Sequence, residues 1–247
     1  MGVGLVTSFA AQFSRPAMEM LPLVLPLAFG ATTMLAVSLF YLAARRSGRT
    51  LAVLLAWLLL QAGVGLSGFY TVTDSLPPRL ALLLGPPLLL ILGLFLTAAG
   101  RRYLDSLRLE VLTLLHVVRI PVELVLFGLY LYHAIPQLMT FEGRNYDILA
   151  GLSAPVVYYF VFRKKQLGTT GLMVWNFLCL GLLLNIVINA LLSAPTPLQR
   201  FAFEQPNVAI LHFPFVWLPG CVVPLVLLAH VAALRRLFIL RDIRQVE

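Results

Sequence analysis

Charge is what this sequence has least of. Asp, Glu, Lys and Arg make up 11% of 247 residues, where a soluble domain carries roughly 25%. Lysine occurs only at Lys164 and Lys165, at the end of an apolar run, which excludes a retinal Schiff base deep in a last helix. The two cysteines, Cys179 and Cys221, both fall within apolar runs, so a disulfide framework is not expected and buried free thiols are. The four histidines lack the spacing of a di-haem bundle. His133 and His212 are the only pair that invites a single metal or haem. There is no H-E-x-x-H, no Walker loop, no G-x-S-x-G and no dinucleotide fingerprint, so no cofactor is expected. The first twenty residues have no basic region with a cleavage site, and Val6 stands where myristoylation wants Ser or Thr.

Hydrophobicity fills the space that charge leaves. Sixty per cent of the residues are hydrophobic and mean hydropathy is +0.94. A membrane-crossing helix needs about 20 mostly apolar residues, and the chain holds seven runs of that kind. They cover about 21–44, 51–72, 80–99, 107–134, 148–162, 170–192 and 210–234, with a basic tail over 235–247. The expected fold is all-α: a polytopic membrane helical bundle of seven transmembrane helices forming one domain, residues 1–247.

The net charge of +8 is distributed in short clusters rather than along a continuous basic face, which argues against a nucleic-acid partner and for the lipid bilayer. Arg45, Arg46 and Arg49 follow the first run, Arg101 and Arg102 the third, Arg163, Lys164 and Lys165 the fifth, and Arg235, Arg236, Arg241 and Arg244 the seventh. The opposite loops carry one arginine each, Arg79, Arg144 and Arg200. Basic residues accumulate on the cytoplasmic side, so the expected location is a cytoplasmic (inner) membrane, N-terminus outside and C-terminus in the cytoplasm.

The first three runs carry little polar chemistry beyond Gln61; it concentrates in runs four to seven. A charged residue at a helix centre costs roughly 2.5–3.5 kcal/mol on insertion scales, so such residues usually face a bundle interior. Arg119 and Glu123 are four residues apart, near the middle of run four, with Pro121 between them. The spacing predicts an ion pair, directly or through a neighbouring helix. His116, Glu123 and Tyr130 fall within roughly 40° of one another around the helix axis. Run six carries Asn176, Asn185 and Asn189, the last two on one face. Run seven holds Pro214, Pro219, Gly220 and Pro224, too many breaks for a regular helix.

Two loops stand out, Phe141-Glu142-Gly-Arg144-Asn145-Tyr-Asp147 and Pro195-Thr-Pro-Leu-Gln-Arg200-Phe-Ala-Phe-Glu204-Gln-Pro-Asn207. If runs four to seven are neighbours, both loops cap a cavity. Its expected lining is Arg119, Glu123, Tyr130, Asn185 and Asn189, with Glu142, Arg144, Asn145, Asp147, Arg200, Glu204 and Asn207 at the mouth. That cavity is expected to take a small polar molecule or a lipid headgroup. A membrane-embedded enzyme using Glu123, Glu142 or Asp147 as general acid or base, and a non-catalytic assembly subunit, are the alternatives.

Arg119-Ile-Pro-Val-Glu123, Leu138-Met-Thr-Phe-Glu-Gly-Arg-Asn145, Phe203-Glu-Gln-Pro-Asn207 and Phe213-Pro-Phe-Val-Trp-Leu-Pro219 together resemble an uncharacterised family of bacterial integral membrane proteins of Bacteroidetes type. The resemblance covers about half the chain, His116 to Leu234. It implies a bacterial origin and seven helices, and it implies no activity.

Overall fold

A computed structural model describes residues 18–246, with side chains as far as Arg241. Most of the N-terminal segment read above for signal and lipidation motifs, and the side chain of Arg244, lie outside this range. Among the described residues the fold is all-helical. The elements are α1 (Val24–Ala43), α2 (Gly48–Leu66), α3 (Ala81–Leu96), α4 (Ala98–Ser106), α5 (Leu109–Leu131), α6 (Ile148–Arg163), α7 (Thr169–Ser193) and α8 (Leu218–Arg241, continuing to Val246). Five of them, α1, α2, α5, α7 and α8, are long and apolar enough to cross a membrane, and the bent pair α3–α4 makes a sixth if taken as one span. α6 is apolar but shorter.

α5 and α8 form the centre. More than half of each apolar stretch is buried, 56% and 61%, against 17–33% for α1, α2 and α7. α1 and α6 pack on α5, α7 packs on α8, and α2 and α3 rest on the start of α8. The outer helices turn large apolar side chains outward, among them Leu59 on α2, Leu89 on α3 and Leu178 on α7. A belt this apolar is far more than a soluble monomer exposes.

Run three does not continue to residue 99 as expected. It breaks at Thr97, and α4 leaves at 97° to α3. Thr97 is extended and its hydroxyl accepts from the Gly100 N–H at 3.1 Å, an N-cap that starts a new helix. The Arg101 guanidinium folds back on the carbonyls of Phe95 and Leu96, closing the end of α3. A Cβ on Gly100 would lie 2.4 Å from the Leu94 carbonyl oxygen, so the corner needs glycine.

Run seven differs too. Residues 210–217 are not a regular helix; a 3-10 turn, Ala209–Leu211, leads through extended His212 to a π turn, Leu218–Val222, with which α8 begins. Pro224 cannot supply the N–H that the Gly220 carbonyl would receive in a helix. The Trp57 indole donates to that carbonyl instead, at 2.7 Å, and the Trp217 indole donates to Leu58 O at 3.0 Å, stitching α2 to the break. The tail continues α8 in line, where Phe238 meets Phe177 edge-on.

Side-chain contacts gather the basic clusters at one end. Arg45 Nε donates to Ser106 O, Arg235 is paired with Asp105 at 2.9 Å, and Arg236 donates to Leu107 O. Phe162, beside Arg163, joins Leu172 and Leu234 in one cluster at that same end. Arg79 over Phe69, and Arg144 over Phe201, belong to the loops between the other helix ends.

Candidate functional site

The only strongly polar interior among the described residues lies where α5, α6, α7 and α8 meet. Pro121 removes the amide that Val117 O would receive, and the backbone tightens to a 3-10 turn at His116–Val118 before resuming. His116, Arg119 and Glu123 are all about 1–2% exposed. α6 comes against this turn closely: a Cβ on Gly151 would lie 2.8 Å from Ile120 Cγ1 and 3.3 Å from Arg119 Cβ. Glycine at 151 therefore lets the start of α6, with Asp147, reach the guanidinium.

The expected Arg119–Glu123 pair is not formed directly. Arg119 Nη1 pairs with Asp147 Oδ1 at 2.7 Å and also donates to Cys179 O at 3.3 Å. Its Nη2 donates to His230 Nε2 at 2.8 Å. A guanidinium has no acceptor, so Nε2 must be the unprotonated ring nitrogen. The His230 proton is thus on Nδ1, which donates to Asn176 Oδ1 at 3.0 Å. Asn176 in turn donates to Leu172 O. The His116 ring stacks on His230 with centroids 4.0 Å apart and meets Trp175 edge-on. Arg119 faces across the bundle rather than along its own helix, and three elements satisfy its two Nη atoms.

Glu123 has a different partner. Asn145 Nδ2 donates to Oε1 and to Met139 O, while Asn145 Oδ1 accepts from the Asp147 N–H. Asn145 thereby ties the Glu123 carboxylate to the backbone of Asp147. Gly143 permits the turn before it, since a Cβ there would lie 2.2 Å from Gln137 O. Glu123 Oε2 is buried and receives no hydrogen bond; Arg119 Nε and His116 Nδ1 are likewise unpartnered. A cavity of about 70 Å³ is lined by Glu123, Asn145 and Asp147 on one side and by apolar residues such as Leu84, Leu126 and Ile186 on the others.

The remaining expected residues are scattered around this core. Asn185 is exposed and donates to Arg144 O at 2.8 Å, tying α7 to the first loop, and Asn189 donates back to Asn185. Arg144 is exposed, with its guanidinium 5.6 Å from the Phe201 ring centre. Glu142, Arg200 and Glu204 are exposed. Asn207 is fully buried with neither side-chain polar atom partnered. Tyr130 lies outside the cavity, half-buried beside Phe127. His133 is exposed and bonds Gln205, whose amide donates to Ile135 O beyond the end of α5. Burial holds the His212 imidazole below the usual histidine range. Among the described residues no three His, Cys, Asp or Glu side chains gather as a metal site, around His133 and His212 or elsewhere. The residues missed as a site in the sequence are His230 and the Cys179 carbonyl. His230 left a readable signal, an imidazole in the middle of an apolar helix.

Residues 76–238, from before α3 to Phe238 within α8, match the family described as Domain of unknown function (DUF8737). The chain belongs to that family. The DUF8737 region contains every residue of the polar cluster and leaves out α1 and α2. Its description carries neither an activity nor a source. No curated protein and no solved structure matches the chain.

Proposed function

We propose that this DUF8737 protein is a multi-pass protein of a bacterial cytoplasmic membrane, and that it binds or carries a small polar molecule through a positively charged group. In this reading α6 and the bent α3 complete seven spans, with the N-terminus outside. The one-ended basic clusters support that orientation.

The observation that carries the reading is the free oxygen of Glu123. Two carboxylates and one guanidinium share the enclosure, and the guanidinium is committed to Asp147 at 2.7 Å. Glu123 lines the small cavity, and its Oε2 has no donor. A buried carboxylate oxygen without a donor is costly, and a cationic group in the cavity removes that cost. About 70 Å³ is several times the roughly 10–15 Å³ that one water needs, enough for a small protonated amine. An anion at Arg119 is less favoured, because both Nη atoms already have partners.

The test is thermal unfolding of detergent-purified protein in methylammonium chloride against equimolar sodium chloride. The wild type is expected to melt a few degrees higher in methylammonium, and Glu123→Gln to show no difference between the salts. Equal melting of the wild type in both salts overturns the reading.

A further inference from the structure

A larger cavity lies elsewhere. About 450 Å³ lies between α2, α3 and α8, within the range of ligand pockets. α2 and α3 each rest on the start of α8 rather than forming a packed pair, and the cleft between them opens sideways among outward-facing leucines. Its walls are apolar: Val53, Leu54 and Trp57 from α2, Pro87 and Leu90 from α3, Leu225 from α8. Water there would find almost no polar partner.

Polar groups stand at one end only. Arg49, Thr50 and Tyr103 line the mouth, and the Thr50 and Tyr103 hydroxyls are hydrogen-bonded at 3.1 Å. This is the end where the basic clusters gather. Several arginines there are committed: Arg45 to Ser106 O, Arg101 to the end of α3, Arg235 to Asp105 and Arg236 to Leu107 O. Arg49 is exposed and has no hydrogen-bond or ion-pair partner among the described residues. A slot with apolar walls, open to the side and ending in a free guanidinium and two hydroxyls, matches a molecule with an apolar chain and an anionic head.

We infer that this cleft is a binding site for an anionic phospholipid, one acyl chain lying along Trp57 and Leu90 and the phosphate meeting Arg49. The inference rests on the membrane location proposed above and is independent of the Glu123 cavity.

Trp57 reports on the slot directly. The Trp175→Phe/Trp217→Phe protein, with Trp57 as its sole tryptophan, is reconstituted in phosphatidylcholine vesicles containing increasing fractions of brominated phosphatidylglycerol or brominated phosphatidylcholine. Quenching is expected to half-saturate at about fivefold lower mole fraction for phosphatidylglycerol, the ratio given by about 1 kcal/mol for one arginine near an anionic head. Arg49→Gln is expected to abolish that ratio. Equal half-saturation for the two lipids, or an unchanged ratio in Arg49→Gln, overturns the site. Should the double variant not fold, native mass spectrometry of gently extracted wild type and Leu90→Trp decides. A phospholipid, mainly anionic, retained by the wild type and lost when the slot is filled supports the site. No retained lipid, or equal retention by both proteins, overturns it.

Discussion

Arg119 and Asp147 meet at 2.7 Å across 28 residues of sequence, their side chains 3% and 8% exposed. Removing one partner of an enclosed pair leaves an uncompensated buried charge, at a cost of about 3–5 kcal/mol, while replacing both by apolar residues is often close to neutral. Asp147→Leu alone is therefore expected to lower the melting temperature sharply. Arg119→Met/Asp147→Leu should recover much of the loss. Additive losses in the double variant would show that the two side chains do not act as a pair.

Gly151 sets how closely α6 approaches α5. A methyl group there would lie 2.8 Å from Ile120 Cγ1. Overpacking of this kind costs about 1–3 kcal/mol. Gly151→Ala should lower stability in denaturant titration, and Ile120→Ala in the same chain, which removes Cγ1, should restore part of it. A Gly151→Ala protein as stable as the wild type would contradict the close approach.

His230 carries its proton on Nδ1 because Arg119 can only donate to Nε2. Nitrogen-15 spectra of the histidine-labelled protein near neutral pH should place one deprotonated Nε2 and one protonated Nδ1 at this residue, against a His230→Gln control. Asn176→Leu removes the acceptor for that proton and should cost about 1–3 kcal/mol. The opposite tautomer would break the assignment.

Glu204 lies exposed in the loop between α7 and α8, and Ser106 lies exposed at the basic end beside Arg45. In intact cells, a membrane-impermeant thiol reagent should label Glu204→Cys and leave Ser106→Cys unlabelled. Both native cysteines are buried, which keeps the background low. The reverse pattern would invert the proposed orientation.

The apolar runs showed where most helices lie, because length and hydropathy are local properties of the chain. The ends were less legible. The corner at Thr97 is written as a capping residue followed by small residues, a weak signal inside a continuous apolar run. The same division holds in the polar cluster. The spacing of Arg119 and Glu123 placed both inside the bundle, yet it pointed to each other as partners. Asp147 and His230, 28 and 111 residues away from Arg119, take its guanidinium instead. A period within one helix shows which face turns inward, and only packing between helices shows what that face meets. Asn145 was read as part of a loop mouth, whereas it turns inward to the Glu123 carboxylate and is 1% exposed.

The hydrogen bond from Trp57 to the Gly220 carbonyl joins a helix outside the matched region to the proline-rich break within it. Any protein built from residues 76–238 alone inherits the proline at 224 and the acceptor it strands, without the indole that answers it. A truncated chain that loses activity would thus report on a missing hydrogen-bond donor as readily as on a missing functional residue. α2 belongs in every version of the protein used to study the site.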